Sequence, residues 1–305
     1  MDREYEKDVS FITSAGRTGT TFLGGKLSDI IEDCYSCHEP DDLTFSVSEN
    51  ISRVRKFGFF YMIAGRLIGK TGLRPIGTRF LRKELSVSHC CQLIYDMRNS
   101  YFNSIRSSLV IESNPQWHYL VNLIPLVWPK AKIAVIIRDP RTWVRSWINK
   151  GLRHTITDMV KYFPPGRLSP KSTNDDLWVN DWGQFDTFER LCWEWQSIYR
   201  RLSSHSEFNE LCRIFSYEQL FGSGSAGEWS RLLEHLTRHG DKVYRYRIPE
   251  DFTGKRVHAS EGRFPGWQEW SPGRARKLDR LCGDLMRRYG YGEEPLWQEK
   301  LALTG

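Results

Sequence analysis

Short apolar runs alternate along this chain with segments in which apolar residues recur every three or four positions. The runs lie at 9–13, 109–111, 132–137 and 213–215, and continuous runs of this length predict buried strands. Segments of helical spacing follow the first three runs. Such alternation favours right-handed crossovers and a parallel sheet. We therefore expect an α/β fold with a central parallel sheet and helices on both faces.

The connection after the first run, residues 14–23, carries a candidate anion site. Gly16 and Gly19 permit positive φ angles and close approach of the backbone. Threonine hydroxyls and the free N–H groups of the following helix point back at this turn, as at helix N-termini that bind anions. Arg17 adds a fixed charge with a planar fork of donors. We expect the loop to bind a phosphate-like or sulfate-like group; an ordinary strand–turn–helix connection is the alternative.

This loop is P-loop-like in its strand–loop–helix setting, but it is not a Walker A motif. That motif requires G-x-x-x-x-G-K-[ST]. Here Gly25-Lys26 is followed by Leu27, and the position five before Gly25 is Thr20, so the sequence fails the motif twice. Nucleotide-type kinases have a related strand–loop–helix fold, but without this motif we keep a kinase only as an alternative.

A second cationic residue, Arg138, follows the third apolar run. Pro140 suits the first turn of the next helix and Asp139 suits its N-cap, and Ser146 comes eight residues after Arg138. In parallel sheets, ligands bind beyond the carboxyl ends of the strands. We expect the loops at Arg17 and Arg138 to face one crevice, which suits a ligand with two separated anionic groups.

Three further stretches complete the predicted organisation. Residues 120–127 show helical spacing, and Pro129 ends this predicted helix. The stretches 45–108 and 151–183 interrupt the strand–helix pattern; the first is aromatic and basic, and the second is long for a loop. We expect a single domain over 1–305, in which these two insertions cover the substrate side of the sheet. A plain helical layer is the alternative for 45–108.

Composition and charge narrow the class of ligand. The 305 residues suffice for one large α/β domain. The net charge of +7 comes from 44 Lys and Arg against 37 Asp and Glu, and this balance fits an anionic small ligand or a weak nucleic-acid surface. No long Lys/Arg block is present, so we expect no nucleic-acid partner. We also expect no membrane span, because no apolar stretch is long enough.

Seven cysteines, an odd number with no export signal before the first strand, predict reduced thiols and a cytoplasmic protein. Residues 34–38 match the C-x-x-C-H pattern of c-type haem attachment. Haem attachment takes place outside the cytoplasm, so we interpret the match as a coincidence and expect two half-buried thiols in a strand. No second pair at zinc-ligand spacing follows, and no metal is expected.

Together these motifs resemble those of sulfotransferases that use 3′-phosphoadenosine 5′-phosphosulfate (PAPS). The family's 5′-phosphosulfate loop is similar to residues 17–22, with Gly16 in place of its proline. Its 3′-phosphate motif, an Arg at a strand end with a Ser eight residues on, is similar to Arg138 and Ser146. The resemblance covers roughly residues 9–291 in order.

Residues 217–220 and 262–267 resemble the family's later motifs more loosely. The resemblance implies a sulfotransferase fold with helical and loop insertions. It also implies a metal-independent enzyme that transfers the sulfuryl group of PAPS to a hydroxyl of a small molecule or carbohydrate, releasing adenosine 3′,5′-bisphosphate (PAP). A non-catalytic nucleotide- or nucleic-acid-binding module is the alternative outside enzymes. The implied nucleotide-binding residues are Arg17, Thr18, Gly19, Thr20, Thr21, Phe22, Arg138, Ser146, Tyr217, Arg263 and Gly266.

The implied chemistry needs a base for the acceptor hydroxyl, and Glu39 is the first candidate. Sulfotransferases of the carbohydrate and protein-tyrosine types carry a catalytic Glu at a similar place. The chain resembles these types and the bacterial stand-alone types more than it resembles the phenol-type cytosolic enzymes. His38 is a rival, because the unperturbed pKa of His suits a base better than that of Glu does. In an alternating strand, His38 and Glu39 would point to opposite sides of the sheet. Glu112 is a further rival; Asn114 stands near where phenol-type cytosolic enzymes place a catalytic His. Arg17 is expected to contribute to catalysis by binding the sulfonate.

Overall fold

The computed structural model of this chain describes most of its length, and every structural statement below concerns the described residues. Residues 151–167, which belong to the second predicted insertion, lie outside them. The described residues are 7–44, 46–150, 168–173, 175–207, 209–222, 225–249, 252 and 262–303.

Five parallel strands form the central sheet, in the spatial order β2–β3–β1–β4–β5. β1, β3 and β4 are rich in β-branched residues and buried along nearly their whole length, as parallel strands covered on both faces are. The predicted parallel sheet is therefore confirmed. The strands are β1 Asp8–Thr13, β2 Cys34–His38, β3 Leu109–Ser113, β4 Lys132–Ile137 and β5 Cys212–Ser216.

The chain changes direction across the sheet between β1 and β4. The connection after β1 leads to β2 on one side, whereas the connection after β4 leads to β5 on the other side. In open α/β sheets, a ligand crevice forms where neighbouring connections diverge in this way. The loops after β1 and β4 therefore flank the expected crevice.

Helices cover both faces of the sheet, as predicted. On one face, the helices at 20–26 and 226–237 pack with one apolar cluster. On the other face, a larger apolar cluster packs with the helices at 73–81, 87–103, 140–149, 187–207 and 272–288. A short hairpin, β6 Arg238–His239 and β7 Lys242–Val243, follows α11. The helices are α1 Thr20–Lys26, α2 Val47–Phe57, α3 Gly65–Leu67, α4 Leu73–Leu81, α5 Val87–Asn103, α6 Ile124–Val127, α7 Pro140–Asn149, α8 Pro170–Thr173, α9 Thr187–Glu207, α10 Tyr217–Phe221, α11 Ala226–Thr237, α12 Pro272–Arg288 and α13 Pro295–Ala302; a π-helical turn, Phe60–Ala64, precedes α3.

The single helix predicted over 120–127 is wrong in its extent. Two 3₁₀ turns, Pro115–Tyr119 and Val121–Leu123, precede α6, which is only one turn long. Pro125 has no N–H group, and its ring would clash with the carbonyl group four residues earlier, so a continuous helix cannot pass through it. The apolar positions that led to the prediction are nevertheless buried.

A buried ion network joins the helical stretch at 45–108 to the sheet. Arg98 on α5 binds Glu112 of β3 (Nε to Oε2, 2.7 Å) and Asp41 beyond β2 (Nη2 to Oδ1, 3.1 Å). Arg66 binds Asp42 (Nη1 to Oδ1, 3.1 Å). Arg98 and Glu112 are completely buried, and Asp41 nearly so. The described part of the stretch is thus helical, as expected, and is fixed to the sheet edge formed by β2 and β3.

Asp41→Asn is expected to make the fold less sensitive to acid. Burial alone would raise the pKa of Asp41, but the charges of Arg98 and Arg66 outweigh it and lower the pKa to about 2. The ionised Asp41 carboxylate therefore stabilises the folded state fully above the ordinary pKa of about 4, and this stabilisation is lost as the pH falls towards 2. The shift in pKa corresponds to about 2 kcal/mol of the free energy of unfolding. Urea unfolding at a series of pH values should show a shallower loss of stability on acidification for the variant.

Asp29→Asn is the matched control, because Asp29 pairs with Lys26 on the exposed surface at 2.9 Å. Such pairs contribute little, so this variant should keep the acid sensitivity of the wild type. Equal acid sensitivity in the wild type and in Asp41→Asn would contradict the role assigned to Asp41.

Candidate functional site

The loop after β1 turns through three residues with positive φ, namely Gly16 (77°), Arg17 (55°) and Gly19 (77°). At Gly19 a Cβ atom would come within 2.6 Å of a neighbouring aromatic ring, so only glycine fits. Arg17 is not glycine, and such backbone strain is concentrated at functional sites. Ser14 fixes the turn by accepting hydrogen bonds from the Gly16 N–H (2.9 Å) and the Thr18 hydroxyl (2.7 Å).

Three aromatic donors hold the carbonyl groups around the loop. Trp143 on α7 donates from Nε1 to the Gly16 carbonyl (2.8 Å). Trp195 on α9 donates from Nε1 to the Arg138 carbonyl (2.9 Å), and Tyr199, one turn later, donates to the penultimate carbonyl of β4 (2.7 Å). Sequence reasoning did not identify these residues as parts of the site, because their spacing indicates only a buried helix face.

Arg17 and Arg138 meet in one cluster between β1 and β4. Arg138 Nη1 donates to the Arg17 carbonyl (2.7 Å), and Arg17 Nε donates to the Ser146 hydroxyl (3.1 Å). Thr142 accepts a hydrogen bond from Arg138 Nε (3.0 Å), and the Tyr217 ring centre lies 4.5 Å from the Arg138 guanidinium carbon. The two loops are in contact, as expected, and a ligand crevice at this place stays a prediction. We call these five residues the arginine cluster.

The arginine cluster has positive charge to offer a ligand. Burial lowers the pKa of Arg17 below its ordinary value, and the neighbouring charge of Arg138 lowers it further. In the described part of the chain, no carboxylate pairs with either guanidinium. Arg141 on α7 does have carboxylate partners: its guanidinium binds Asp139 (2.7 Å) and Glu294 (2.6 Å). Two adjacent cations without a described counter-ion favour an anionic ligand.

The remaining loop residues differ in what they present to a ligand. Thr18, Thr20 and Phe22 are buried, and the Phe22 ring packs edge-on against Phe221 at 5.8 Å. The Thr18 hydroxyl is engaged by Ser14 and Phe22 has no polar side-chain atom, so these two residues can offer a ligand only their backbone N–H groups. Thr21 is exposed, so its hydroxyl can reach the crevice.

His38 and Glu39 have neighbouring side chains, so the prediction that they point to opposite sides is wrong. β2 ends at His38, and Glu39 has a φ of 42°, which breaks the alternation of a strand. Glu39 Oε2 consequently lies 3.8 Å from His38 Nε2. His38 Nδ1 lies 2.9 Å from the Ser113 carbonyl oxygen, and the Thr21 hydroxyl lies 3.1 Å from Nε2. Since a carbonyl only accepts, Nδ1 carries the proton and Nε2 of the neutral ring is a base.

Glu112 and Asn114 are engaged in the fold. Arg98 binds both Glu112 carboxylate oxygens, at 2.7 Å and 2.9 Å, and Asn114 Nδ2 donates to Oε1 at 3.3 Å. The Asn114 side-chain oxygen in turn caps the following 3₁₀ turn. A carboxylate that is completely buried and bound to Arg98 in this way is closed to an acceptor, which leaves His38 and Glu39 as the stronger candidates for the base.

A cavity of about 460 Å³ lies at the far end of α7, beyond Ser146. Asn149, three residues after Ser146, holds the last segment of the site by accepting from the Phe264 N–H (2.8 Å). Gly266 precedes a 3₁₀ turn at Trp267–Glu269. Arg263 is exposed and extends the cationic side of the site along α7. The cavity is lined by Ile148, Asn149, Arg263, Phe264, Pro265 and Arg274.

The cysteines and possible metal ligands form no second centre in the described chain. No group of three or more His, Cys, Asp or Glu side chains among the described residues could hold a metal ion. All seven cysteines lie in the described residues, and none of them forms a disulfide. Cys34 and Cys37 are buried in β2 and pack with the apolar clusters on opposite faces of the sheet, so they do not meet at one haem. Burial raises the pKa of Cys34 to about 12, which makes it a poor nucleophile.

Comparisons with known proteins gave similarity to solved structures, and not to a family model or a curated sequence. No protein-family model matches the chain, and no curated protein sequence matches it. Among solved structures, the chain is similar to a structure titled "Sulfotransferase Domain from the Curacin Biosynthetic Pathway", with 13% sequence identity, 93% of this chain and 98% of that chain covered, and a TM-score of 0.43. Similarity at this level leaves the assignment to the site geometry. None of the described helices is both long and apolar enough to cross a membrane.

Proposed function

We propose that this chain is a sulfotransferase that transfers the sulfuryl group of PAPS to a hydroxyl of a small molecule or a carbohydrate. The observation that carries the proposal is the contact of Arg17 with both Ser146 and Arg138. This contact joins the two loops that resemble the phosphosulfate and 3′-phosphate motifs into one cationic cluster. A nucleotide with anionic groups at two positions suits such a cluster better than a single phosphate does.

The donor set of the site supports an anionic nucleotide. We assign Arg17, the Thr21 hydroxyl and the backbone N–H groups of the loop to the phosphosulfate end. Arg138 and Ser146 are assigned to the 3′-phosphate, with Arg263 at the neighbouring cavity as a further cation. When bound, PAPS supplies the sulfuryl group and its phosphate leaving group.

The residues of this site act by positioning and by charge. Sulfuryl transfer resembles phosphoryl transfer, in which an in-line displacement requires little covalent chemistry from the protein. Negative charge grows on the leaving phosphate oxygen, and Arg17 and the loop N–H groups stabilise it. Fixed donors of this kind contribute about 3–4 kcal/mol each in comparable oxyanion sites. The positive φ angle of Arg17 holds its guanidinium group in place before the substrate binds.

We assign the proton transfer to the pair His38 and Glu39. The acceptor hydroxyl gives its proton to His38 Nε2, since Nδ1 is held by the Ser113 carbonyl. The Glu39 carboxylate, 3.8 Å from Nε2, stabilises the imidazolium that results. In the free protein the Thr21 hydroxyl occupies Nε2 at 3.1 Å. When PAPS binds, this hydroxyl turns to the phosphosulfate and leaves Nε2 to the acceptor hydroxyl, so the base and the leaving-group site share one edge of the sheet.

Calorimetry should detect binding of PAP to the wild type, and Arg17→Ala and Arg138→Ala should each weaken it at least about tenfold, as loss of a charge-assisted hydrogen bond does. Arg238→Ala is the matched control, because this exposed Arg pairs only with Glu234 on the surface in the described chain; its PAP affinity should equal that of the wild type.

Other binding patterns would replace the proposal. Binding of ATP with magnesium and not of PAP would indicate a nucleotide-type kinase. Binding of single-stranded nucleic acid without turnover of PAPS would indicate a binding module. PAP affinity that survives both Arg17→Ala and Arg138→Ala would mean that the arginine cluster is not the nucleotide site.

A further inference from the structure

The helical stretch beyond β2 carries an exposed apolar surface. Single exposed apolar residues are ordinary on proteins, but here six large ones fall within residues 47–68, each between 50 and 72% exposed. Contiguous exposed apolar patches mark interaction sites, and six such residues close together in the sequence make this stretch a candidate for one. The apolar surface consists of Val47, Ile51, Phe59, Phe60, Leu67 and Ile68.

The apolar surface is presented by an anchored element. Met62, on the inner side of the π-helical turn, is completely buried. The Tyr61 hydroxyl donates to Asp41, and Thr71 donates to the Tyr61 carbonyl at 2.7 Å. Phe60 therefore points outward from a helix whose opposite side is fixed to the ion network, and it cannot turn inward without breaking these contacts.

Exposed cations accompany the apolar surface. Arg55, Lys56 and Lys70 are exposed. Of the other two cations in residues 46–70, Arg66 is engaged by the ion network and Arg53 pairs with Glu49, the one acidic residue of this segment, so the three exposed cations give this surface its positive charge. A cavity of about 280 Å³, lined in part by Lys56 and Lys70, opens in the same stretch. The pattern is apolar and aromatic side chains together with a basic fringe.

We propose that this surface docks on a membrane that contains anionic lipid. Amphipathic helices with Phe and Leu on one side and Lys or Arg on the other lie in the membrane interface, and each cation near an anionic leaflet strengthens the attachment. A second copy of the chain is the less suitable occupant, because a two-fold contact would bring the same cationic fringe against itself. The inference does not depend on the proposed sulfuryl transfer.

The test is flotation of the full chain with vesicles of phosphatidylcholine, with and without phosphatidylserine. The wild type should float with the vesicles that contain phosphatidylserine, and added salt should weaken binding. Phe59→Ser and Phe60→Ser should each lower the partition coefficient about tenfold, as expected for loss of one buried aromatic side chain. Lys56→Glu should weaken binding to the anionic vesicles only.

Leu126→Ser is the matched control, because Leu126 on α6 is 62% exposed and lies outside the apolar surface; it should bind as the wild type does. PAP affinity should be unchanged in all four variants, so the vesicle result stands whether or not the chain is a sulfotransferase. Absence of wild-type binding to anionic vesicles would overturn the proposal. A dimer seen in sedimentation that Phe60→Ser abolishes, without vesicle binding, would identify the surface as an interface between copies.

Discussion

His38→Asn is expected to lower the turnover number for sulfuryl transfer by about 10²- to 10⁴-fold, the usual contribution of a general base. The asparagine amide can still donate to the Ser113 carbonyl in place of Nδ1, so the sheet edge is preserved while Nε2 is lost. Affinity for PAP should remain unchanged, because His38 is not among the residues assigned to the nucleotide. Steady-state kinetics with labelled PAPS, together with calorimetry, separates the two effects.

Glu39→Gln is the companion variant for the base. It keeps the size of the side chain and removes only its charge, so we expect a loss of about tenfold, from weaker stabilisation of the imidazolium. A severe loss in Glu39→Gln with little loss in His38→Asn would make Glu39 itself the base, as the family resemblance implies. Full activity in both variants would remove this pair from the mechanism.

Arg98→Met is expected to lower the free energy of unfolding by about 3 to 5 kcal/mol, because it leaves the buried Glu112 carboxylate without its cation and Asp41 with Arg66 alone. Arg98 has no exposed surface and holds Asp41 and Glu112 together. Methionine keeps much of the side-chain volume, so loss of packing is a minor part of the effect. Urea unfolding at neutral pH measures the loss.

Two comparisons test whether the effect of Arg98→Met is electrostatic. Adding Asp41→Asn and Glu112→Gln to it should recover part of the lost stability, because the stranded charges disappear. Arg238→Met, which breaks an exposed pair, should change stability by less than about 1 kcal/mol. A small loss in Arg98→Met, or no recovery in the triple variant, would mean that the network is not what holds the insertion.

Most strands of the sheet and the loops at Arg17 and Arg138 could be located from sequence because their signals are local. An apolar run followed by Gly16-Arg17-Thr18-Gly19 specifies a strand and a glycine-dependent turn, and Arg138 lies at the end of a similar run. Parallel strands place their carboxyl ends at one edge, so the meeting of Arg17 and Arg138 followed from topology.

The rest of the site depends on contacts between distant parts of the chain. Trp143 and Trp195 bond to loop carbonyls through their ring N–H groups, and their spacing on helices reveals only burial. The ion network joins Asp41, Arg98 and Glu112 from three separate segments. His38 and Glu39 lie together because β2 ends one residue earlier than the alternation assumed, which depends on a single backbone angle.

The position of Asp41 sets a boundary for re-engineering acceptor choice. Asp41 is two residues beyond Glu39. The same short turn therefore carries the candidate proton acceptor, Glu39, and the carboxylate that binds Arg98 of the helical stretch at 45–108. A chimera that imports the helices of this stretch from another protein must therefore also transfer Arg98, the partner of Asp41 on α5, together with Glu112, or the turn that carries Glu39 will lose its support. Even an exchange confined to residues 47–60 would have to keep Arg53, which donates to the carbonyl groups of Glu39 (3.4 Å) and Asp42 in the same turn.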